Sequence, residues 1–347
     1  MTRWSPERWA AVKAIFHDLT QLPDAERAAA LLARTAGDAE AREAIGRMLQ
    51  HATRDHSRLD QGAAGLMPSL KRELPQGSLP VAGTRVGAFE IVREVGRGGM
   101  GVVYEAVRVE DTGIARVAIK VLPPTRAETV FARRFVSEQR LLQQLDHAGI
   151  ARFVDSGWTS GQRPWFAMAY VDGVPLDQWC TTQGVPPADR VRLVRDTCRA
   201  VQHAHDRQVL HRDIKPSNIL VTATGQTVLV DFGIARTLDD DAPGTLTLAG
   251  FRPMSLSFAS PEHLAGRPLT AAADVFSLGA VLYVLLAGQP PTSRRVPPST
   301  AASPRDAEAV VPFDDCVMRA LAHDPLARYP SAEALAQALD AVLGSVA

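Results

Sequence analysis

Lysine is scarce in this chain. Of 38 basic residues only four are lysine, at positions 13, 71, 120 and 215; the other 34 are arginine. The arginine bias reads as genome composition. Where lysine persists against it, a compact ammonium in place of a planar guanidinium fork is the thing to explain. Neither sign of charge is in excess. The 38 basic and 38 acidic residues give zero formal net charge, so no global electrostatic case exists for a nucleic-acid partner or a membrane surface. Cysteine is almost missing. Cys180, Cys198 and Cys316 are odd in number, far apart and without C-x-x-C spacing. They read as buried or half-buried free thiols of a reducing cytoplasm. Long apolar runs are missing too. The longest, LGAVLYVLLAG at 278–288, falls short of the roughly 20 residues a bilayer requires and reads as a buried helix. The opening MTRWSPERWAAVKAIF has no signal-peptide core, so the expected location is cytoplasmic, with no membrane segment.

The 347 residues, 46% hydrophobic and 22% charged, suit a globular protein of two domains, or of one large domain with an appendage. Residues 1–54 read as a helical module. Ser5-Pro6-Glu7 offers an N-cap, a first-turn proline and an acid at the positive dipole end. Trp9, Val12, Phe16 and Leu19 follow at helical spacing. A second helix is expected from Asp24 to Thr35, and a third from Asp38 carrying Ile45, Met48 and Leu49. Residues 55–84, rich in Gly, Pro and Ser, read as a linker. From residue 85 the pattern changes. AFEIVREV, VVYEAVRV, RVAIKVL, ARFVDSGW and PWFAMAYV are strand-like, residues 130–145 are helical, and the chain beyond 187 is mostly helical. Strands first and helices later predict an α+β unit with a small sheet lobe and a larger helical lobe.

Gly96, Gly98, Gly99 and Gly101 lie between the first two of these strands, in GRGGMGVV. A dinucleotide site would need a helix after the glycines, and a phosphate-binding Walker loop would need Gly-Lys-Ser/Thr. Here a β-branched strand follows. Two readings stay open on these residues alone: a glycine-rich hairpin turn, or a flap that lays backbone N–H groups over phosphate. Lys120, in VAIK, is either an exposed strand charge or a phosphate-holding point charge oriented by an anion such as Glu138, 18 residues on.

The decisive stretch is VLHRDIKPSNIL at 209–220, followed by Asp231-Phe232-Gly233. Together with the glycine loop and VAIK it resembles the catalytic core of a protein kinase, with every motif in family order across 85–345. The phrasing of GRGGMGVVYEA, HRDIKPSNIL, DFGIART, SPEHLAG and DVFSLG is similar to bacterial members of the eukaryotic-like Ser/Thr kinases. The N-terminal helical segment resembles one that precedes the kinase domain in some of them.

The resemblance implies a two-lobed fold, with an N-lobe over about 85–171 and a C-lobe over 172–345. It implies transfer of the γ-phosphate of ATP to Ser/Thr hydroxyls of proteins, with Mg²⁺ or alternatively Mn²⁺. Asp213 would accept the hydroxyl proton and Lys215 would neutralise the moving phosphoryl group, which answers why that position is lysine. Asn218 and Asp231 would be the metal ligands, and Lys120 with Glu138 the phosphate-anchoring pair. Met168, Ala169 and Val171 match the hinge that holds adenine, and Val95, Val103, Ala118 and Leu220 the apolar walls. Thr245 and Thr247 lie where an activation segment is autophosphorylated, with Arg212 as partner for the added phosphate. Glu262 and Arg328 match a buried structural ion pair, and Asp274 the acid that braces the catalytic loop.

Some residues depart from the family pattern. Ser255, Leu256 and Phe258 stand where Thr, Pro and Tyr are usual, and 288–312 holds six prolines in a region used for docking. The i, i+2 spacing of His203 and His205 puts them on different helix faces and argues against a metal pair. The competing functional readings are a pseudokinase serving as a binding module, and a small-molecule kinase. The full set Lys120, Glu138, Asp213, Lys215, Asn218 and Asp231 argues against the first. The long segment from Asp231 to Ser260-Pro261-Glu262 argues against the second. A dimer is compatible with the sequence; the physiological substrate and the activating signal are not written in it.

Overall fold

A computed structural model describes residues 15, 19, 30–35, 38, 39, 41, 42, 45, 79–98, 101–108, 116–123, 139–161, 163–232, 257–291 and 296–346. They form two units. In the first, Leu19, Ala41 and Ile45 are buried with Ile15, Ala30 and Leu31 packed on them. Asp38 accepts the Ala41 N–H at 3.0 Å through its side chain, the signature of an N-cap. Trp9, Val12, Phe16, Met48, Leu49 and the expected linker core fall outside the described residues.

The second unit begins with a sheet of β1 (Arg85–Val86), β2 (Phe89–Gly98), β3 (Gly101–Arg108), β4 (Arg116–Val121), β5 (Phe153–Trp158) and β6 (Pro164–Ala169). Their spatial order is β1-β2-β3-β4-β6-β5, with every neighbour antiparallel. The period-2 alternation of strands sorts the side chains. Val102, Tyr104, Ala106, Val117, Ile119, Val121, Trp165 and Ala167 join Phe89 and Ile91 in one buried cluster. The intervening positions Val103, Ala118, Lys120 and Met168 therefore share the opposite face, with Val103 paired to Lys120 and Ala118 to Met168. That is the face turned to the site.

The helical part contains α1 (Leu176–Thr182), α2 (Pro187–His205), α3 (Pro261–Leu264), α4 (Ala271–Ala287), α5 (Pro298–Ala301), α6 (Ala307–Val310), α7 (Asp314–Ala320) and α8 (Ala332–Val346). β7 (Gly173–Pro175), just before α1, pairs with β8 (Ile219–Thr222), which also pairs with β9 (Thr227–Leu229); β8 and β9 lie between α2 and α3. α4 is apolar on nearly its whole circumference and is buried accordingly, as a central core helix should be. Gly288 stops it in the left-handed conformation at φ 74°. Among the described residues no helix is long and apolar enough to cross a membrane. The proline-rich stretch after α4 yields the short α5 and α6 and the start of a 3₁₀ turn over Val311–Phe313 among its described residues.

Arg328 locks the lower part of this unit. Its side chain is fully buried. Nη1 and Nη2 pair with the two Glu262 oxygens at 2.7 and 2.8 Å. The remaining donors reach the carbonyls of Ala272, Ala322 and His323 at 2.8, 2.8 and 3.1 Å. All five guanidinium N–H groups are thereby used.

Candidate active site

The stretch 209–220 is shaped by its own chemistry. Lys215 is extended, Pro216 starts a 3₁₀ turn over Pro216–Asn218, and the Asn218 N–H closes it on the Lys215 carbonyl at 2.9 Å. This turn brings three polar side chains together. Lys215 Nζ lies 2.7 Å from Asp213 Oδ2. Asn218 Nδ2 donates to the Asp213 carbonyl at 2.8 Å and to Asp213 Oδ2 at 3.1 Å. Asp213 and Asn218 are buried, at 7% and 6% exposure. Such burial of a carboxylate is tolerated because it is hydrogen-bonded on several sides.

Two contacts stitch this loop to the segment carrying Asp231. The Val230 N–H donates to the Asn218 carbonyl at 2.9 Å. His211 makes the second link. Its Nδ1 accepts the Asp213 N–H at 3.3 Å, which assigns the ring hydrogen to Nε2, and Nε2 faces the Val230 carbonyl at 3.3 Å. Burial lowers the His211 pKa despite the surrounding carboxylates, so the ring is neutral at physiological pH. Phe232 is buried against it, ring centroids 4.6 Å apart.

Asp231 reaches the sheet lobe, where its Oδ1 is hydrogen-bonded to Lys120 Nζ. Lys120 and Asp231 are 111 positions apart in the chain. Asp231 has φ 65° and Arg212 φ 62°, left-handed conformations that a non-glycine residue adopts only under constraint. For Arg212 the constraint is visible. Asp274, in the first turn of α4, accepts the His211 N–H on Oδ2 at 2.8 Å and the Arg212 N–H on Oδ1 at 2.9 Å. Burial raises the Asp274 pKa, but hydrogen bonding and charge from His205, with help from His211, outweigh it and hold the carboxyl below its ordinary value.

The glycine stretch is a β-hairpin, with Gly98 paired to Gly101 across its tip. Gly101 has φ 128°, and a Cβ there would meet the Val121 carbonyl oxygen at 2.3 Å. Gly96 and Gly98 have open space around the same imaginary atom. The protein itself thus requires glycine at 101 but has no steric need for it at 96 and 98. Val95 is 47% exposed at the edge of this hairpin.

Met168 and Ala169 end β6, and Val171 follows outside the strand. Met168 is buried with Ala151 and Val228, and Val171 packs on them. Leu220 lies on β8 opposite Ile219 and Val221, which belong to the main core. The hinge is also clasped from the sheet. Buried Glu105 pairs with Arg93 and Arg116, each at 2.7 Å. The Arg116 guanidinium lies 4.0 Å from the Tyr170 ring centroid. A cavity of about 630 Å³ lies behind the hinge, lined by Asp146, Arg152, Tyr170 and Val171 among others. None of Lys120, Asp213, Lys215, Asn218 or Asp231 lines it.

Gly99, Glu138, Thr245, Thr247, Ser255 and Leu256 lie outside the described residues. The contact partner of Lys120 that the described residues contain is Asp231. Glu105 and His205 were not singled out as site residues from the sequence. His205 had one legible signal: it closes helix α2 six positions before His211.

A sheet lobe with a glycine hairpin and a strand lysine, joined to a helical lobe with Asp-Lys-Asn and Asp-Phe stretches, is the arrangement of the protein kinase fold. A protein kinase domain model matches residues 89–327, and the chain belongs to that family. Serine/threonine-protein kinase PknB of Mycobacterium leprae is 35% identical over 260 residues, covering 70% of this chain and 41% of the relative. Serine/threonine-protein kinase Pkn1 of Myxococcus xanthus is 35% identical over 282 residues, covering 76% and 39%. The chain therefore spans roughly two fifths of the length of these curated relatives. Among solved structures, the PknI kinase domain of Mycobacterium tuberculosis matches with a TM-score of 0.60 at 29% identity, covering 76% of this chain and 100% of that one.

Proposed function

We propose that the chain transfers the γ-phosphate of ATP to Ser/Thr hydroxyls of proteins. The observation that carries this reading is the single hydrogen-bonded set of Asp213, Lys215 and Asn218, stitched through Val230 to the segment that presents Asp231. Phosphoryl transfer asks a protein for positioning and charge neutralisation more than for covalent chemistry. Asp213 is the acceptor of the substrate hydroxyl proton; Asn218 and Lys215 fix where its carboxylate points. Lys215 holds positive charge beside that carboxylate, where negative charge moves between donor and acceptor oxygens. Lys120 is the phosphate-binding ammonium on the nucleotide-facing side of the sheet, with Glu138 its proposed orienting acid.

The donor set fits Mg²⁺. Asp231 and Asn218 offer hard oxygens, and Asn218 spends its NH₂ on Asp213, leaving its amide oxygen as the acceptor. Asp231 and Asn218 would hold Mg²⁺, or Mn²⁺ at the same oxygens, which would supply neutralisation of the phosphate charge. Gly96 and Gly98 leave room for phosphate beneath the hairpin, Gly99 is proposed to contact phosphate with them, and Val95, Val103, Ala118, Met168, Ala169, Val171 and Leu220 enclose the base. Thr245 and Thr247 are proposed as autophosphorylation sites, with Arg212 pairing the product phosphate.

The test is incubation of the full chain with γ-labelled ATP, Mg²⁺ and a generic Ser/Thr protein substrate, followed by mass spectrometry. Label on Ser/Thr of substrate, and on Thr245 or Thr247, is the expected result. Nucleotide binding without any transfer would establish the pseudokinase reading instead.

A further inference from the structure

Glu105 is a buried acid with no task in the chemistry above, at 7% exposure. Its neighbours in β3, Tyr104 and Ala106, belong to the buried cluster on the far face of the sheet. Alternation therefore puts Glu105 on the face of Val103, and it is paired across the strands with Ala118. That is the face proposed to receive the base. A carboxylate buried there has to be paired, because an isolated charge out of water is costly. Arg116 Nε and Nη2 reach Glu105 Oε1 at 2.8 and 2.7 Å, and Arg93 Nη2 reaches Oε2 at 2.7 Å.

Both arginines carry the contact on to the hinge. The Arg116 guanidinium lies over the Tyr170 ring, 4.0 Å from its centroid, and Nη1 is 3.6 Å from Asp172 Oδ2. The Arg116 carbonyl accepts the Tyr170 N–H at 3.2 Å. Arg93 Nη2 donates to Tyr170 Oη at 3.4 Å. A strand irregularity places Arg93. Ile91 belongs to the far-face cluster, and strict alternation would send Arg93 the same way. The register shift between Ile91 and Arg93 turns it over, so that it pairs with Glu105. Three strands thus converge through one carboxylate on Tyr170, which stands between Ala169 and Val171, two of the residues proposed to hold the base.

We propose that Arg116, anchored by Glu105, is a positioning residue for the nucleotide: its charge on the Tyr170 ring fixes the hinge peptide against the sheet and thereby sets the affinity for ATP. The proposal rests on the kinase reading only for its kinetic arm. The test separates charge from reach. Arg116→Gln keeps a long polar side chain but loses the cation that both Glu105 and the Tyr170 ring attract. Arg116→Lys keeps the cation. Tyr170→Leu removes the ring and leaves Arg116 on Glu105. Arg116 is 41% exposed, so these changes leave the buried clusters intact.

In the full chain without nucleotide, hydrogen exchange at the Tyr170 amide should quicken in Arg116→Gln and Tyr170→Leu and return toward the wild-type rate in Arg116→Lys. The KM for ATP should rise about five- to tenfold in the Gln and Leu variants and largely recover in the Lys variant. The kcat for phosphate transfer should stay level, because the Asp213, Lys215 and Asn218 set is untouched. The double Arg116→Gln/Tyr170→Leu variant should be no worse than either single one, since the two side chains act as one contact. Additive losses in the double variant, a Lys variant as impaired as the Gln variant, or a loss carried by kcat overturns the proposal. If wild type transfers no phosphate, the kinase reading falls, and the exchange comparison still decides whether Arg116 holds the hinge.

Discussion

Removing either partner of the Glu262–Arg328 pair should cost more than any surface substitution in this chain, and the two losses should be unequal. The Arg328 side chain has 0% exposure and that of Glu262 6%. Breaking such a buried, hydrogen-bonded pair from one side leaves an uncompensated charge and costs about 3–5 kcal/mol. In Glu262→Leu the stranded guanidinium keeps three carbonyl acceptors, those of Ala272, Ala322 and His323. In Arg328→Met a carboxylate and all three carbonyls lose their partner, so this variant should be the worse by at least about 1 kcal/mol. For a domain of this size the midpoint falls about 2–4 °C per kcal/mol, which places the drop at roughly 6–20 °C. The double variant should be more stable than the sum of the single losses by about 1–3 kcal/mol.

The pH dependence of the same pair has a definite sign. Burial raises the Glu262 pKa, but the Arg328 hydrogen bonds and charge prevail and hold it below its ordinary 4.5. A carboxyl depressed in the folded state stabilises fully above its unfolded pKa and loses that contribution as pH falls through the folded one. The gap between wild type and Glu262→Leu should therefore be flat above pH 4.5 and narrow only below it. Urea titrations of wild type, both single variants and the double at several pH values read all of this. Single variants within about 1 kcal/mol of wild type, or Glu262→Leu the worse of the two, would refute the reasoning.

Three further outcomes follow from the site and the core. Gly98→Ala should leave the melting midpoint unchanged and raise the KM for ATP by about tenfold, whereas Gly101→Ala should also destabilise by about 1–3 kcal/mol, because its Cβ meets the Val121 carbonyl; matched melting curves and ATP kinetics separate the two. Asp274→Asn turns an NH₂ toward an N–H that needs an acceptor, so kcat should drop about a hundredfold with little change in the KM for ATP, and a kcat near wild type would count against the bracing role. Cys180, Cys198 and Cys316 are buried, and burial pushes Cys180 up to about 11 and Cys198 higher still, so a thiol reagent should label none of them before unfolding; rapid labelling of native protein would contradict the packing.

Much of this was legible in the sequence because it is local. Alternation marked β2, β3, β4 and β6 to within a few residues, and a run of apolar residues without a polar face marked the buried α4. The site stretches carry their own turn chemistry, as Pro216 and Asn218 illustrate. What stayed hidden was pairing across long separations. Nothing near Glu105 announces that Arg93 and Arg116 converge on it over the hinge. His205 was weighed against His203 as a metal pair, yet its partner is Asp274, 69 positions away. Lys120 was matched to Glu138, which lies outside the described residues, while its contact with Asp231 joins positions 111 apart. Such contacts are products of topology, and no window of sequence contains both ends.

The rate of γ-phosphate transfer to protein, measured for wild type and Asp213→Ala with ATP binding followed in parallel, bears most directly on the whole account. Transfer by wild type, its loss by at least about a thousandfold in the variant, and ATP affinity within a fewfold for both are the predicted results. Transfer that survives in Asp213→Ala at the wild-type rate would contradict the assignment of the hydrogen-bonded Asp213, Lys215 and Asn218 set as the seat of the chemistry.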